Sequence, residues 1–242
     1  MKLFHNTASP FVRKVMIVAH ETGQVDDIEL VAAVGHALDT AKMPVVQNPL
    51  GKLPTLIVDG KAMYDSRVIC RFLNARADGS LYGDETNQWD ILTLEATADG
   101  ILDAAVLMVY EARVRPESIR FPAWVEGQWA KAIRAVAHIE ATQMDLLNSP
   151  LNIGTIATSC ALAYLDFRHP DRDWRADHPK LDCRFRRMVG RTCRDIEGSV
   201  TNEQESGNEL GCLHRFDLLA SGCMPLTRHR SGFGKHRLNP AG

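Results

Sequence analysis

Three short stretches carry residue types able to do chemistry: Ser9-Pro10-Phe11-Val12-Arg13-Lys14, Gly51-Lys52-Leu53-Pro54-Thr55-Leu56 and Tyr64-Asp65-Ser66-Arg67. In the first, a hydroxyl precedes a proline, and proline is favoured at the first helical position, so Ser9 stands at a helix start. Hydroxyls and free backbone N–H groups at such a point stabilise an anion. In the second, Pro54 opens a strand, where a missing N–H is tolerated. In the third, Asp65 and Ser66 mark a strand running into a capped helix, and either can be the N-cap. Together the three suggest a pocket that holds a small anionic peptide and steadies a thiolate.

The elements that must position these residues follow from periodicity. Lys2 to His5 is a short strand. Ser9 to Glu21 is a helix with Val12, Val15, Met16 and Ala19 on one face, ended by Thr22-Gly23. Ile28 to Val34 is a second strand. Pro54 to Asp59 and Lys61 to Tyr64 are two more, joined by an Asp59-Gly60 turn. Ser66 to Ala75 is a helix. The order βαβ then ββα predicts a small mixed sheet with helices packed on it, over residues 1–78. Residues 77 to 87 read as a linker. An all-helical domain follows over 88–181, with stripes at Ala98/Ile101/Leu102/Ala105/Val109, Trp129/Ala132/Ile133/Val136 and Ile156/Cys160/Ala163/Tyr164/Phe167. Asn152 is a good N-cap for the last of these, and Thr155 sits where a capping-box partner would.

Composition bounds the rest. The chain has 242 residues, 45% apolar and 24% charged, as in ordinary globular proteins. A formal net charge of −2 gives no reason to expect nucleic acid or an anionic membrane as partner. The N-terminus lacks the apolar stretch of a signal peptide, so the expected compartment is the cytoplasm. Cys70 and Cys160 fall inside apolar helical patterns and read as buried core residues. Cys212, His214, Cys223 and His229 match no common ligand spacing, so no metal is expected. From Asp182 to Gly242 helical periodicity fades and arginines crowd in. That stretch reads as an atypical, disordered tail, or as translation in a shifted frame that puts charge at Asp182–Arg187 where apolar residues belong.

Taken in order, these motifs resemble the cytosolic glutathione S-transferase family, most nearly its bacterial, serine-type members, over roughly Met1 to Leu181. The resemblance implies an α/β thioredoxin-like N-terminal domain plus an all-α C-terminal helical domain. Gly51–Leu56 is similar to the family's cis-proline loop, Tyr64–Ile69 to its glutamyl-binding motif, and Leu151–Ala157 to its helix-capping segment, with Thr155 replacing an acidic residue. Tyr164–Arg168 and His178-Pro179-Lys180-Leu181 add to the likeness. The family also implies a homodimer through the helices at Ser66–Ala75 and Gln88–Arg113, and Arg67, Arg71, Ile91 and Leu94 are compatible with that contact.

Roles follow from the resemblance. Glutathione is the implied co-substrate. Ser9 faces its sulfur, where redox relatives carry a cysteine. A thiol of pKa about 8.5 is only about 3% ionised at pH 7, and lowering it by about two units raises the reactive fraction about twenty-fivefold. Leu53 offers its N–H and C=O to the cysteinyl backbone beside a cis Pro54. Lys52 binds the glycyl carboxylate or is a solvated loop lysine. Asp65 accepts from the glutamyl ammonium, while Ser66 and the helix start hold the glutamyl carboxylate. Phe11 lines the electrophile side or belongs to the core. Asp99 and Asp103 approach the pocket or are plain helix charge. The expected activity is transfer of glutathione to a small hydrophobic electrophile, in the service of detoxification. The alternatives are a non-catalytic glutathione-fold binding protein and a glutathione-dependent disulfide reductase.

Overall fold

A computed structural model of the chain describes residues 1–34 and 38–188. Strand β1 (Lys2–His5) leads to helix α1 (Pro10–Glu21) and strand β2 (Glu29–Ala32). A loop then reaches the hairpin β3 (Thr55–Val58) and β4 (Lys61–Met63), followed by α2 (Ser66–Arg76). The sheet order is β2-β1-β3-β4, with β1 parallel to β2 and the other pairs antiparallel. The hairpin turns at Asp59 and Gly60, both at positive φ (49° and 77°). Glycine meets that demand without a steric cost.

Local signals account for the helix boundaries. Ser9 is the N-cap of α1, with Pro10 in the first turn. Asp65 rather than Ser66 caps α2. The buried face of α1 holds Val12, Val15, Val18 and Ala19, and α2 turns Ile69, Cys70 and Leu73 inward. With Leu3 and Leu56 from the sheet they build one core.

The helical half contains α3 (Gln88–Val114), α4 (Pro122–Thr142), α5 (Met144–Asn148) and α6 (Ile153–Arg168). Ala98, Ile101, Leu102 and Ala105 of the expected stripe are buried in a second core, with Ala132 and Val136 of α4. Asn152 caps α6 by accepting from the Thr155 N–H at 2.9 Å. The capping box is not completed: the buried Thr155 hydroxyl has no partner among the described residues. Ile91, Ile153, Ile156 and Cys160 join the core of the sheet half, so the two halves share a packed seam. Burial pushes the Cys160 thiol up to about 12, which suits a packing role.

One expectation needs correction. The chain does not lose its helical pattern at Asp182. Helix α7 runs from residue 179 to the last described residue, 188. Leu181, Phe185 and Met188 fall at i, i+4 and i+7 and are buried in the helical core. Phe185 meets the fully buried Trp174 edge-on, with ring centroids 5.9 Å apart. The charges lie elsewhere on the helix. Asp182 accepts from Arg175 at 2.8 Å and from Arg186 at 2.9 Å, and Arg184 Nε donates to the Leu147 carbonyl at 2.8 Å. A run of charge read along the line hides an apolar stripe that appears only at 100° per residue. The rest of the expected tail, from residue 189, and the cysteine–histidine grouping within it lie outside the described residues.

Truncating Phe185 tests this packing. Phe185→Ala removes a ring from the core and lowers stability by about 3 kcal/mol, with urea denaturation remaining a single cooperative transition at a lower midpoint. A change under about 0.5 kcal/mol is the outcome that would detach α7 from the core.

Candidate functional site

The sheet register brings the three chemical stretches to one edge. Phe4 lies opposite Thr55, and Leu56 opposite Met63, in antiparallel pairs. The end of β1, the start of β3 and the end of β4 are therefore side by side. From these ends run Asn6–Ser9, Lys52–Pro54 and Tyr64–Ser66. Strand pairing thus brings the first stretch to the other two across more than forty residues of sequence.

Asn6 shapes the first loop. Its side chain accepts from the Ala8 N–H at 2.9 Å and donates to the Ala33 carbonyl at 3.3 Å, while its carbonyl accepts from the Ser9 N–H at 3.0 Å. Ser9 Oγ accepts from the Val12 N–H at 3.3 Å. Its own O–H has no acceptor among the described residues, and the residue is half-buried. Phe11 is partly buried against the core of the helical half. Thr7 is exposed.

The second loop is held from beneath by Asn48, a buried residue that sequence reasoning passed over. Asn48 Nδ2 donates to the Lys52 carbonyl and to Thr55 Oγ1, each at 3.0 Å, and Thr55 Oγ1 donates to the same carbonyl at 3.0 Å. The Leu53–Pro54 peptide is cis. With the Lys52 carbonyl committed inward, the Lys52 side chain is exposed. The N–H and C=O of Leu53 have no partner among the described residues.

At the third stretch, Asp65 Oδ1 accepts from the Arg67 N–H at 3.0 Å, and Arg67 Nη2 donates to Oδ2 at 2.8 Å. Partial burial pushes the Asp65 carboxyl up, but the Arg67 guanidinium and N–H outweigh this and hold it below the usual range. Ser66 is buried at the first position of α2, beside the positive end of the helix.

Behind this edge lies a charge cluster the motifs did not reveal. Lys14, on the core face of α1, is 0% exposed. Its Nζ donates to Glu95 Oε1 at 3.0 Å and to both Asp99 oxygens at 2.8 Å. Asp99 Oδ2 also stands 3.9 Å from Arg67 Nε. Thus Asp99 does approach the candidate site from within this chain, whereas Asp103 is exposed. Burial lowers the Lys14 pKa, but two carboxylates together more than offset that and leave it raised. Each carboxylate has only a share of one ammonium, so burial wins and both Glu95 and Asp99 are raised. The available signal was a pair of misfits: a lysine between Val12 and Val15, and acids four apart inside the apolar stripe of α3. Ile91 and Leu94, weighed as subunit-contact residues, instead turn inward and are buried at 2% and 1% exposure.

Comparison with known proteins places the chain. The family model described as glutathione S-transferase, N-terminal domain, matches residues 8–76, and that for the C-terminal domain matches residues 122–182. The GST-like protein YibF of Escherichia coli (strain K12) is 33% identical over 187 residues, 75% of this chain and 90% of that protein. A glutathione transferase family member from Pseudomonas fluorescens Pf-5, solved with bound glutathione, is 44% identical with a TM-score of 0.74, covering 77% of this chain and 93% of that one. A second structure, also from Pseudomonas fluorescens Pf-5, holds S-(propanoic acid)-glutathione and is 45% identical, with a TM-score of 0.69 and coverage of 76% and 92%. The chain belongs to the glutathione S-transferase family. Among the described residues no helix is long and apolar enough to cross a membrane, and no group of three His, Cys, Asp or Glu is placed to hold a metal ion.

Two measurements test the charge cluster. Lys14→Met strands two buried carboxylates and costs about 3–5 kcal/mol in chemical denaturation, while Lys14→Met/Glu95→Gln/Asp99→Asn recovers most of it. The second uses pH. Because Glu95 is raised on folding, the native chain takes up a proton before the unfolded one as pH falls from neutral. Its stability contribution therefore rises down to the ordinary carboxylate range and is level below it. The melting-temperature gap between wild type and Glu95→Gln widens in favour of wild type between pH 7 and pH 5; a constant gap would show that Glu95 is fully neutralised by Lys14.

Proposed function

We propose that the chain is a glutathione transferase, binding glutathione at the sheet edge and activating its sulfur for attack on a small electrophile. One observation carries this reading: strand pairing gathers a hydroxyl-capped helix start, a cis-proline loop with an unpaired backbone edge, and an acid-capped second helix start. Those three features fit the three parts of a γ-glutamyl tripeptide. Asp65 takes the glutamyl ammonium, and the Ser66 hydroxyl with the α2 start takes its carboxylate. Leu53 pairs with the cysteinyl backbone beside Pro54, and Lys52 reaches the glycyl carboxylate. Ser9 donates its hydroxyl proton toward the sulfur and favours the thiolate. The thiol proton passes to solvent, and the thiolate forms a carbon–sulfur bond with the electrophile, either expelling a leaving group with the electron pair of the broken bond or adding to an activated double bond. With an unsaturated acid, the displaced electron pair is then taken up by a proton at the neighbouring carbon.

The electrophile sits against the helical half, with Phe11 on its apolar side. The relative carrying S-(propanoic acid)-glutathione makes a three-carbon unsaturated acid a sensible member of any substrate panel. The functional unit is a homodimer joined through α2 and α3, whose exposed Val68 and Trp89 (51% and 70%) suit a buried contact. The proposed compartment is the cytoplasm.

The purified chain is expected to be retained on immobilised glutathione and released by free glutathione. Ser9→Ala cuts transfer to a panel of electrophiles about tenfold, within the ceiling set by ionisation, and leaves glutathione affinity within about twofold. Retention with no turnover on any electrophile establishes a binding protein instead. Activity confined to mixed disulfides establishes a reductase.

A further inference from the structure

We propose that Lys14, wholly buried and out of reach of any ligand, positions the glutamyl end of the site by fixing Asp99, which in turn holds Arg67 on Asp65. The proposal rests on the reading that Asp65 receives the glutamyl ammonium. Its geometry is continuous. Lys14 Nζ takes both oxygens of Asp99 at 2.8 Å, which sets the plane of that carboxylate. Asp99 Oδ2 then faces Arg67 Nε at 3.9 Å, and Arg67 Nη2 reaches Asp65 Oδ2 at 2.8 Å.

The gradient of exposure gives the chain a direction. The Lys14 and Glu95 side chains are 0% and 3% exposed, Asp99 is 10%, Arg67 59% and Asp65 51%. The buried end is rigid because its groups have nowhere else to go. The exposed end is a long arginine that gains order only from its partners. Arg67 grips Asp65 through Nε at 3.4 Å and Nη2 at 2.8 Å, and the Asp99 charge 3.9 Å from the same Nε favours that one orientation of the guanidinium.

Charge points to the ligand end that profits. Lys14 and Arg67 face Glu95, Asp99 and Asp65, so the group holds one more negative charge than positive. An ammonium arriving at Asp65 balances it.

The decisive variant is Lys14→Met/Glu95→Gln, which removes one charge of each sign and leaves Asp99, Arg67 and Asp65 in place. Two ligands are titrated calorimetrically into the full chain: glutathione, and its deamino analogue with a glutaryl group in place of glutamyl. The glutathione Kd is expected to rise about tenfold, the scale of one charge-assisted hydrogen bond, with the analogue Kd moving less than about twofold. Asp99→Asn, which leaves Lys14 balanced by Glu95, is expected to do the same and decides the matter should the double variant not fold. Unchanged glutathione binding in a folded variant overturns the proposal, as does an equal loss for both ligands, which would mark general damage. Wild type that binds no glutathione overturns the assigned function as well, and so is distinguishable from failure of the positioning role alone.

Discussion

A single ammonium inside the seam between the two halves is the constraint around which the structure is arranged. Lys14 projects from α1 into the stripe that α3 would otherwise fill with apolar groups, and meets Glu95 and Asp99 there. Withdrawing charges from water costs several kcal/mol per ion, so such a group persists only when its partners are fully engaged. Here that engagement comes from the opposite half of the molecule. The relative placement of sheet and helices is therefore restricted by charge as well as by packing. The seam's apolar part sets Ile91, Ile153, Ile156 and Cys160 against the sheet-side core.

The same cluster lies directly behind the edge where the three chemical stretches meet. Ser9 begins the helix that carries Lys14, and Asp65 begins the helix whose Arg67 faces Asp99. Two helix starts thus point toward one site, while Lys14 of α1 and Arg67 in the first turn of α2 both face Asp99 of α3. Helix starts favour anions by fractions of a kcal/mol to about 2 kcal/mol each, depending on burial. On the proposed function the α2 start serves the glutamyl carboxylate, and the α1 start with the Ser9 hydroxyl would supply the roughly 2.7 kcal/mol that a thiol shift of about two pKa units requires. Buried Cys70 and Cys160, with thiols raised by desolvation, stand apart from that chemistry.

Much of the architecture was legible in the residues. Strand β1 and the helix starts at Ser9, Asp65 and Asn152 fall where alternation, proline and capping residues put them, because those signals act within one turn. The cis-proline loop was recognisable from the family motif. The support beneath it was not, since Asn48 looks like any loop asparagine until its amide is seen spanning Lys52 and Thr55. The arginines of α7 misled for a related reason: charge density along the chain says nothing about which side of a helix it occupies. Leu181, Phe185 and Met188 become a stripe only when wound and set against Trp174.

What the sequence determined by itself was local: which segments are strands and helices, where they start, and which residue types stand at those starts. Caps, turns and hydrophobic periods are read over a few residues and need no distant partner. Only the tertiary structure decided that Lys14 belongs to Glu95 and Asp99, 81 and 85 residues away, and that Asp99 also looks toward Arg67. A lone charge on an apolar face is a defect by any local rule. It becomes a determinant of the site only when folding delivers its counter-charges, and that depends on how α1 and α3 are laid together.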